Sequence, residues 1–118
     1  MRLFVMVGLM LAATATGANA EPDTSSANRL LAGCRAAVGD KDSAPPVELG
    51  TCVGVVMGVW MTAGVAGLAC SPNGVTLGQV LRVVVQFIDA RPARMHEQLT
   101  NLALEALIST WPCRKPHR

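Results

Sequence analysis

The chain has 118 residues, of which 51% are hydrophobic and 15% charged, with a formal net charge of +2. That balance excludes an intrinsically disordered chain, and the length suits one domain. It also excludes a phosphate-driven nucleic-acid binder, which needs a clustered positive field, because the only basic cluster is the tail Arg114, Lys115, His117 and Arg118.

Residues 1–20 read as a secretory signal peptide. Arg2 precedes an apolar run from Leu3 to Leu11, and small residues lead to Ala18-Asn19-Ala20, an A-x-A cleavage signal. Cleavage after Ala20 is expected to deliver residues 21–118 to the periplasm as one nearly neutral domain, with nine basic side chains against eight acidic.

After the polar stretch Glu21 to Asp23, the apolar residues Ala27, Leu30, Leu31, Cys34, Ala37 and Val38 predict one face of a helix. A hydroxyl of Thr24-Ser25-Ser26 can cap its start, and Gly39 can end it in the left-handed conformation. Asp40, Lys41, Asp42, Pro45 and Pro46 then make a charged loop that cannot continue a helix.

A second helix is expected from about Val47. Between Cys52 and Cys70 it carries no charge, and Gly54, Gly58, Gly64 and Gly67 punctuate it. A segment apolar on every side is either a membrane span or the central helix of a bundle. Its length and the Gly54-x-x-x-Gly58 pattern suit the first. The flanking cysteines, and amphipathic neighbours that need an apolar partner, favour the second.

Pro72 and Gly74 mark a turn, and Thr76-Leu77-Gly78-Gln79 fits a capping box that opens a third helix. Its stripe is Leu77, Val80, Leu81, Val84, Phe87 and Ile88, and Pro92 requires it to stop by Arg91. A fourth helix is expected to follow at once, with Pro92 in its first turn and Met95, Leu99, Leu102, Ala103, Ala106, Leu107 and Ile108 inward. The fold class is therefore all-α, a four-helix up-and-down bundle stapled by two disulfides.

The staples follow from Cys34, Cys52, Cys70 and Cys113, an even count in an exported chain. No C-x-x-C occurs, and the two histidines, His96 and His117, do not supply a metal set. If the second helix is unbroken, Cys52 and Cys70 lie about 27 Å apart, whereas a bridge needs less than about 7 Å. In an up-and-down bundle Cys34 falls beside Cys52, and Cys70 meets Cys113 where the second and fourth helices end. That pairing is expected, with the crossed connectivity as the alternative.

Nothing in the chain assembles a nucleophile, a base and an orienting group. His96 reads as a rim residue, and Arg94, Glu97 and Glu105 as a solvated helix face. The glycines of the second helix lack the strand that a dinucleotide fingerprint requires. No enzyme activity, cofactor, metal or small-molecule substrate is expected, and the protein reads as a binder.

Taken in order, Leu30-Leu31-x-x-Cys34, Cys52-Val53-Gly54, Gly58-Val59, Cys70-Ser71-Pro72-Asn73-Gly74-Val75-Thr76 with Gln79, then Pro92, His96, Ala106-Leu107 and Trp111-Pro112-Cys113 resemble the Rap/Tai family of immunity proteins. The resemblance spans nearly all of residues 21–118. One departure is Val55, which stands where the family pattern leads one to expect an aromatic. The resemblance implies a stoichiometric periplasmic inhibitor, often a homodimer, that inserts a surface element into the cleft of a peptidoglycan amidase delivered by type VI secretion. The candidate contact surface is the loop Asp40, Lys41 and Asp42 with the corner Asp89, Arg91 and Arg94, exposed charges able to give specificity by complementarity. The alternative is a periplasmic stress protein or acid-activated chaperone that releases an apolar surface as its carboxylates protonate. A small membrane protein is a third reading.

Overall fold

The computed structural model describes residues 21–39 and 44–114. They form four α-helices, α1 (Ala27–Ala37), α2 (Pro46–Val65), α3 (Leu77–Asp89) and α4 (Leu99–Thr110), with a 3-10 turn at Pro92–Arg94. No strand occurs among the described residues, and the all-α class holds. The expected signal peptide lies outside the described residues, as do Asp40, Lys41 and Asp42.

Helix starts follow the local chemistry of orphan N–H groups. Ser26 is the N-cap of α1, its hydroxyl accepting from the Arg29 N–H at 3.3 Å. Asp23 in turn accepts from the N–H groups of Ser25 and Ser26 and from the Ser26 hydroxyl. Thr76 caps α3 by accepting from the Gln79 N–H at 3.2 Å. α2 opens with Pro46 at its first position, one residue before the expected start, where the missing N–H leaves nothing unpaired. Gly39 follows α1 with φ of 108°, the left-handed region that glycine enters without steric cost.

α2 stops five residues before Cys70, so Gly67 does not lie inside it. Gly67 has φ of 69°, the Leu68 N–H donates to the Ala63 carbonyl at 2.9 Å, and the Gly67 N–H to that of Gly64 at 3.2 Å. That pair of bonds is a Schellman cap, which consumes carbonyls the last turn would leave unpaired.

The expected fourth helix also begins later. Residues 95–98 are held out of it because the Met95 and Glu97 carbonyls serve α1. The Ala27 N–H donates to Glu97 O at 3.0 Å and the Asn28 N–H to Met95 O at 2.8 Å, while the Leu99 N–H donates back to Ser25 O at 2.9 Å. His96 therefore stands exposed in a turn rather than on a helix.

The core is built from Leu30 and Leu31 of α1, Val56 of α2, Val80, Val84 and Ile88 of α3, and Leu99, Leu102 and Leu107 of α4. α1 packs chiefly on α2, and α3 on α4. At the first of these contacts Gly33 lets the backbones meet, since a Cβ there would sit 2.2 Å from the Glu48 carbonyl oxygen.

Two disulfides join the pairs expected. Cys34–Cys52 spans 5.3 Å between Cα atoms and ties α1 to α2, and Cys70–Cys113 spans 4.8 Å and ties the α2–α3 loop to the segment after α4. Each is worth about 2–4 kcal/mol by restricting the unfolded chain, a large share for a domain this small.

α2 departs most from expectation. It is not enclosed on every side, and only Cys52, Val56 and Ala63 of its twenty residues are buried. Its other side lies open to solvent. The reason is geometric, because α1, α3 and α4 together cover a single face of α2.

Candidate binding surface

The six charged candidates separate into three groups. Asp40, Lys41 and Asp42 lie outside the described residues. Asp89 and Arg94 are engaged within the domain: Asp89 pairs with Arg35 of α1, 54 residues away in sequence. Arg94 clamps two carboxylates, with Nε 2.5 Å and Nη2 2.9 Å from Glu97, and Nη1 2.8 Å and Nη2 2.7 Å from Glu105. The fork geometry of guanidinium suits this double bidentate grip.

The clamp leaves an electrostatic signature. Hydrogen bonds from Arg94, aided by its charge, hold the Glu97 and Glu105 carboxyls below the ordinary carboxylate range, and the two glutamates push the Arg94 pKa up. Arg94 thus fastens the 3-10 turn to α4. Its role in the described structure is positional.

Arg91 is the third case. Its guanidinium lies 3.7 Å from the centroid of the Phe87 ring, and Nη1 donates to the Phe87 carbonyl at 2.9 Å. The side chain is exposed and forms no salt bridge among the described residues, its charge reaching Glu105 only at longer range. Stacking on an aromatic face fixes its direction without using up its charge. It borders a shallow cleft of about 440 Å³ with Arg94, Glu105, Ile108 and Ser109.

A second surface is apolar. Along α2, Met57, Met61 and Val65 are exposed by 42, 63 and 93%, and Leu68 beyond its end by 49%. Gly50, Gly54 and Gly58 recur every fourth residue on that side with open space where a Cβ would stand. Gly54 and Gly58 line a groove of about 390 Å³ whose far wall is Thr100 and Leu104 of α4. α2 is long and apolar enough to cross a membrane, while its buried face belongs to the domain core and Cys52 is bonded to α1. The signal for this surface was present in the sequence as an uncharged stretch with glycines four apart, but periodicity alone did not show which side would stay uncovered.

Among the described residues no group of three or more His, Cys, Asp or Glu is placed to hold a metal ion. All four cysteines are in disulfides. The geometry is that of a stapled helical scaffold presenting one oriented cation and one apolar face. A family model for Rap1a immunity proteins matches residues 26–113.

The chain belongs to the Rap1a immunity protein family.

The match begins at the cap of α1 and ends at the last cysteine, so it takes in every helix and both disulfides. Family membership implies an immunity role toward a type VI secretion effector. The disulfides and the family are consistent with an exported protein. No match is found among curated proteins or among solved structures.

Proposed function

We propose that this chain is a periplasmic, non-catalytic immunity protein that binds a type VI peptidoglycan amidase effector and blocks its active-site cleft. The observation that carries the reading is the family match over the whole stapled domain, residues 26–113. A rigid, doubly bridged scaffold suits the task, since a preorganised surface loses little conformational entropy on docking and more of the contact energy appears as affinity.

Within this reading the effector meets the loop bearing Asp40, Lys41 and Asp42 and the corner at Arg91. Asp89 and Arg94 support that corner from within, through Arg35, Glu97 and Glu105. The homodimer implied by the resemblance has a natural face in α2. An uncharged surface can meet its own copy without like-charge repulsion, and the exposed glycines admit close backbone approach.

The test is co-expression of the mature domain with candidate type VI amidase effectors, followed by affinity and cell-wall hydrolysis measurements. Stoichiometric inhibition is expected. Alanine at Arg91 should weaken binding with the fold intact, whereas alanine at Asp89 or Arg94 should lower thermal stability as well. Unchanged affinity on replacing all six candidates would refute this contact surface. Acid-activated chaperoning predicts instead that dye binding to apolar surface rises only on acidification, although the α2 face is already exposed with the carboxylates ionised.

A further inference from the structure

The two disulfides differ in what surrounds them. Cys34 and Cys52 are each 0% exposed, packed in the core between α1 and α2. Cys70 is exposed and Cys113 half-buried. The second bridge fastens a strap, in which the Cys70 N–H donates to the Trp111 carbonyl at 2.8 Å and Ala69 pairs with Pro112. Beside it the Trp60 indole N–H donates to the Ser71 hydroxyl at 2.9 Å. Both tryptophans of the chain therefore lie around this one bridge.

The geometry points to Cys70–Cys113 as a thiol-addressable clasp: a dithiol reductant of the Cys-x-x-Cys class opens it in the folded protein and frees the strap after α4, while Cys34–Cys52 stays closed and keeps the core folded. This inference does not depend on the identity of the effector.

Access decides the order of reaction. A thiolate must approach along the S–S axis, which solvent permits at Cys70 and packing denies at Cys34 and Cys52. Attack at the Cys70 sulfur forms a mixed disulfide, breaks the bond to Cys113 and leaves the electron pair on the Cys113 sulfur. The second thiol of the reductant then displaces Cys70, so the protein gains two electrons and the reductant closes its own disulfide. Cys113, the less exposed of the two, is then the leaving group. Opening removes the covalent link across the strap but none of the core side chains contributed by Leu31, Val56, Ile88 and Leu102.

The test is native-state reduction of the mature protein with graded dithiothreitol, quenched with N-ethylmaleimide and mapped by peptide mass spectrometry. Cys70 and Cys113 are expected to be labelled faster than Cys34 and Cys52 by a factor on the order of tenfold or more, as local opening precedes global opening. Tryptophan fluorescence should change in step with that labelling while far-UV circular dichroism stays constant. A single exposure to reduced glutathione should trap the adduct on Cys70. Simultaneous opening of both bridges, or prior opening of Cys34–Cys52, would overturn the proposal. The double variant Cys70→Ser/Cys113→Ser supplies a second readout: it should remain helical and reproduce the fluorescence of the reduced protein, and a molten spectrum would count equally against the clasp.

Discussion

At the scale of single residues, the charges on this surface are mostly spoken for, and that makes stability sensitive to acid. Glu97 and Glu105 are held below the ordinary 4.5 by Arg94, Glu48 is lowered by its hydrogen bond from Arg29, and Asp23 is lowered chiefly by the Ser26 hydroxyl. A carboxyl whose pKa is depressed on folding stabilises the protein above its unfolded value, and that stability is lost as pH falls through the folded value. The melting temperature is therefore expected to hold between pH 7 and pH 5 and to fall steadily below about pH 4.5. Arg94→Ala should lower it at pH 7 and flatten the decline in acid, because Glu97 and Glu105 then titrate near their ordinary range. Calorimetry of the two proteins across that pH series checks both statements. The local neighbours Arg94 and Glu97, three residues apart, were legible as one charged face, but the pairings between elements were not. Asp89 reads as an exposed charge and Arg94 as part of a solvated face, and the grip on Arg35 or Glu105 forms only once the elements have packed.

Helices are where the sequence was most informative and where it misled for identifiable reasons. Caps were readable because they are local: Ser26 and Thr76 each satisfy an N–H three residues on. The cysteine pairing was readable because it needed only which helix ends meet. Residues 95–98 were not readable, since the Met95 and Glu97 carbonyls are committed to Asn28 and Ala27, some seventy residues earlier in the chain. Tertiary hydrogen bonds override a helical pattern when they satisfy another helix's orphan donors. The α1–α2 contact offers a sharp test at this scale. A methyl group at Gly33 would overlap the backbone of Glu48, with 2.2 Å to its carbonyl oxygen and 2.8 Å to the Leu49 nitrogen. Backbone cannot rotate away as a side chain can, so Gly33→Ala should cost about 1–3 kcal/mol despite alanine's better helix propensity. Urea denaturation is the measurement, and Gly78→Ala, in α3 and away from the α2 face, is the control. A Cβ at Gly78 would meet only the Arg82 guanidinium at 3.7 Å and the Thr76 hydroxyl at 4.0 Å, so that change should be neutral or stabilising by up to about 1 kcal/mol.

For the whole molecule the question is why so small a domain leaves one side of its longest and most apolar helix uncovered. Three helices suffice to close a core against Val56 and Ala63, and no further element among the described residues reaches Met57, Met61 or Val65. An exposed apolar stripe of this length is the kind of surface that marks an interface, and under the proposed function its occupant is a second copy, which an uncharged surface can meet without like-charge repulsion. Met61 is the position to probe: it is 63% exposed, so a change there leaves the core undisturbed. Met61→Glu would place two like charges near one another across a face related by two-fold symmetry, with no cation on α2 to neutralise them. Sedimentation equilibrium of the mature protein is expected to give the dimer mass and that of Met61→Glu the monomer mass, with circular dichroism unchanged. A wild-type protein that sediments as a monomer at high micromolar concentration would remove the dimer while leaving effector binding intact, because Arg91 and the α3–α4 corner lie on a different surface from the α2 groove.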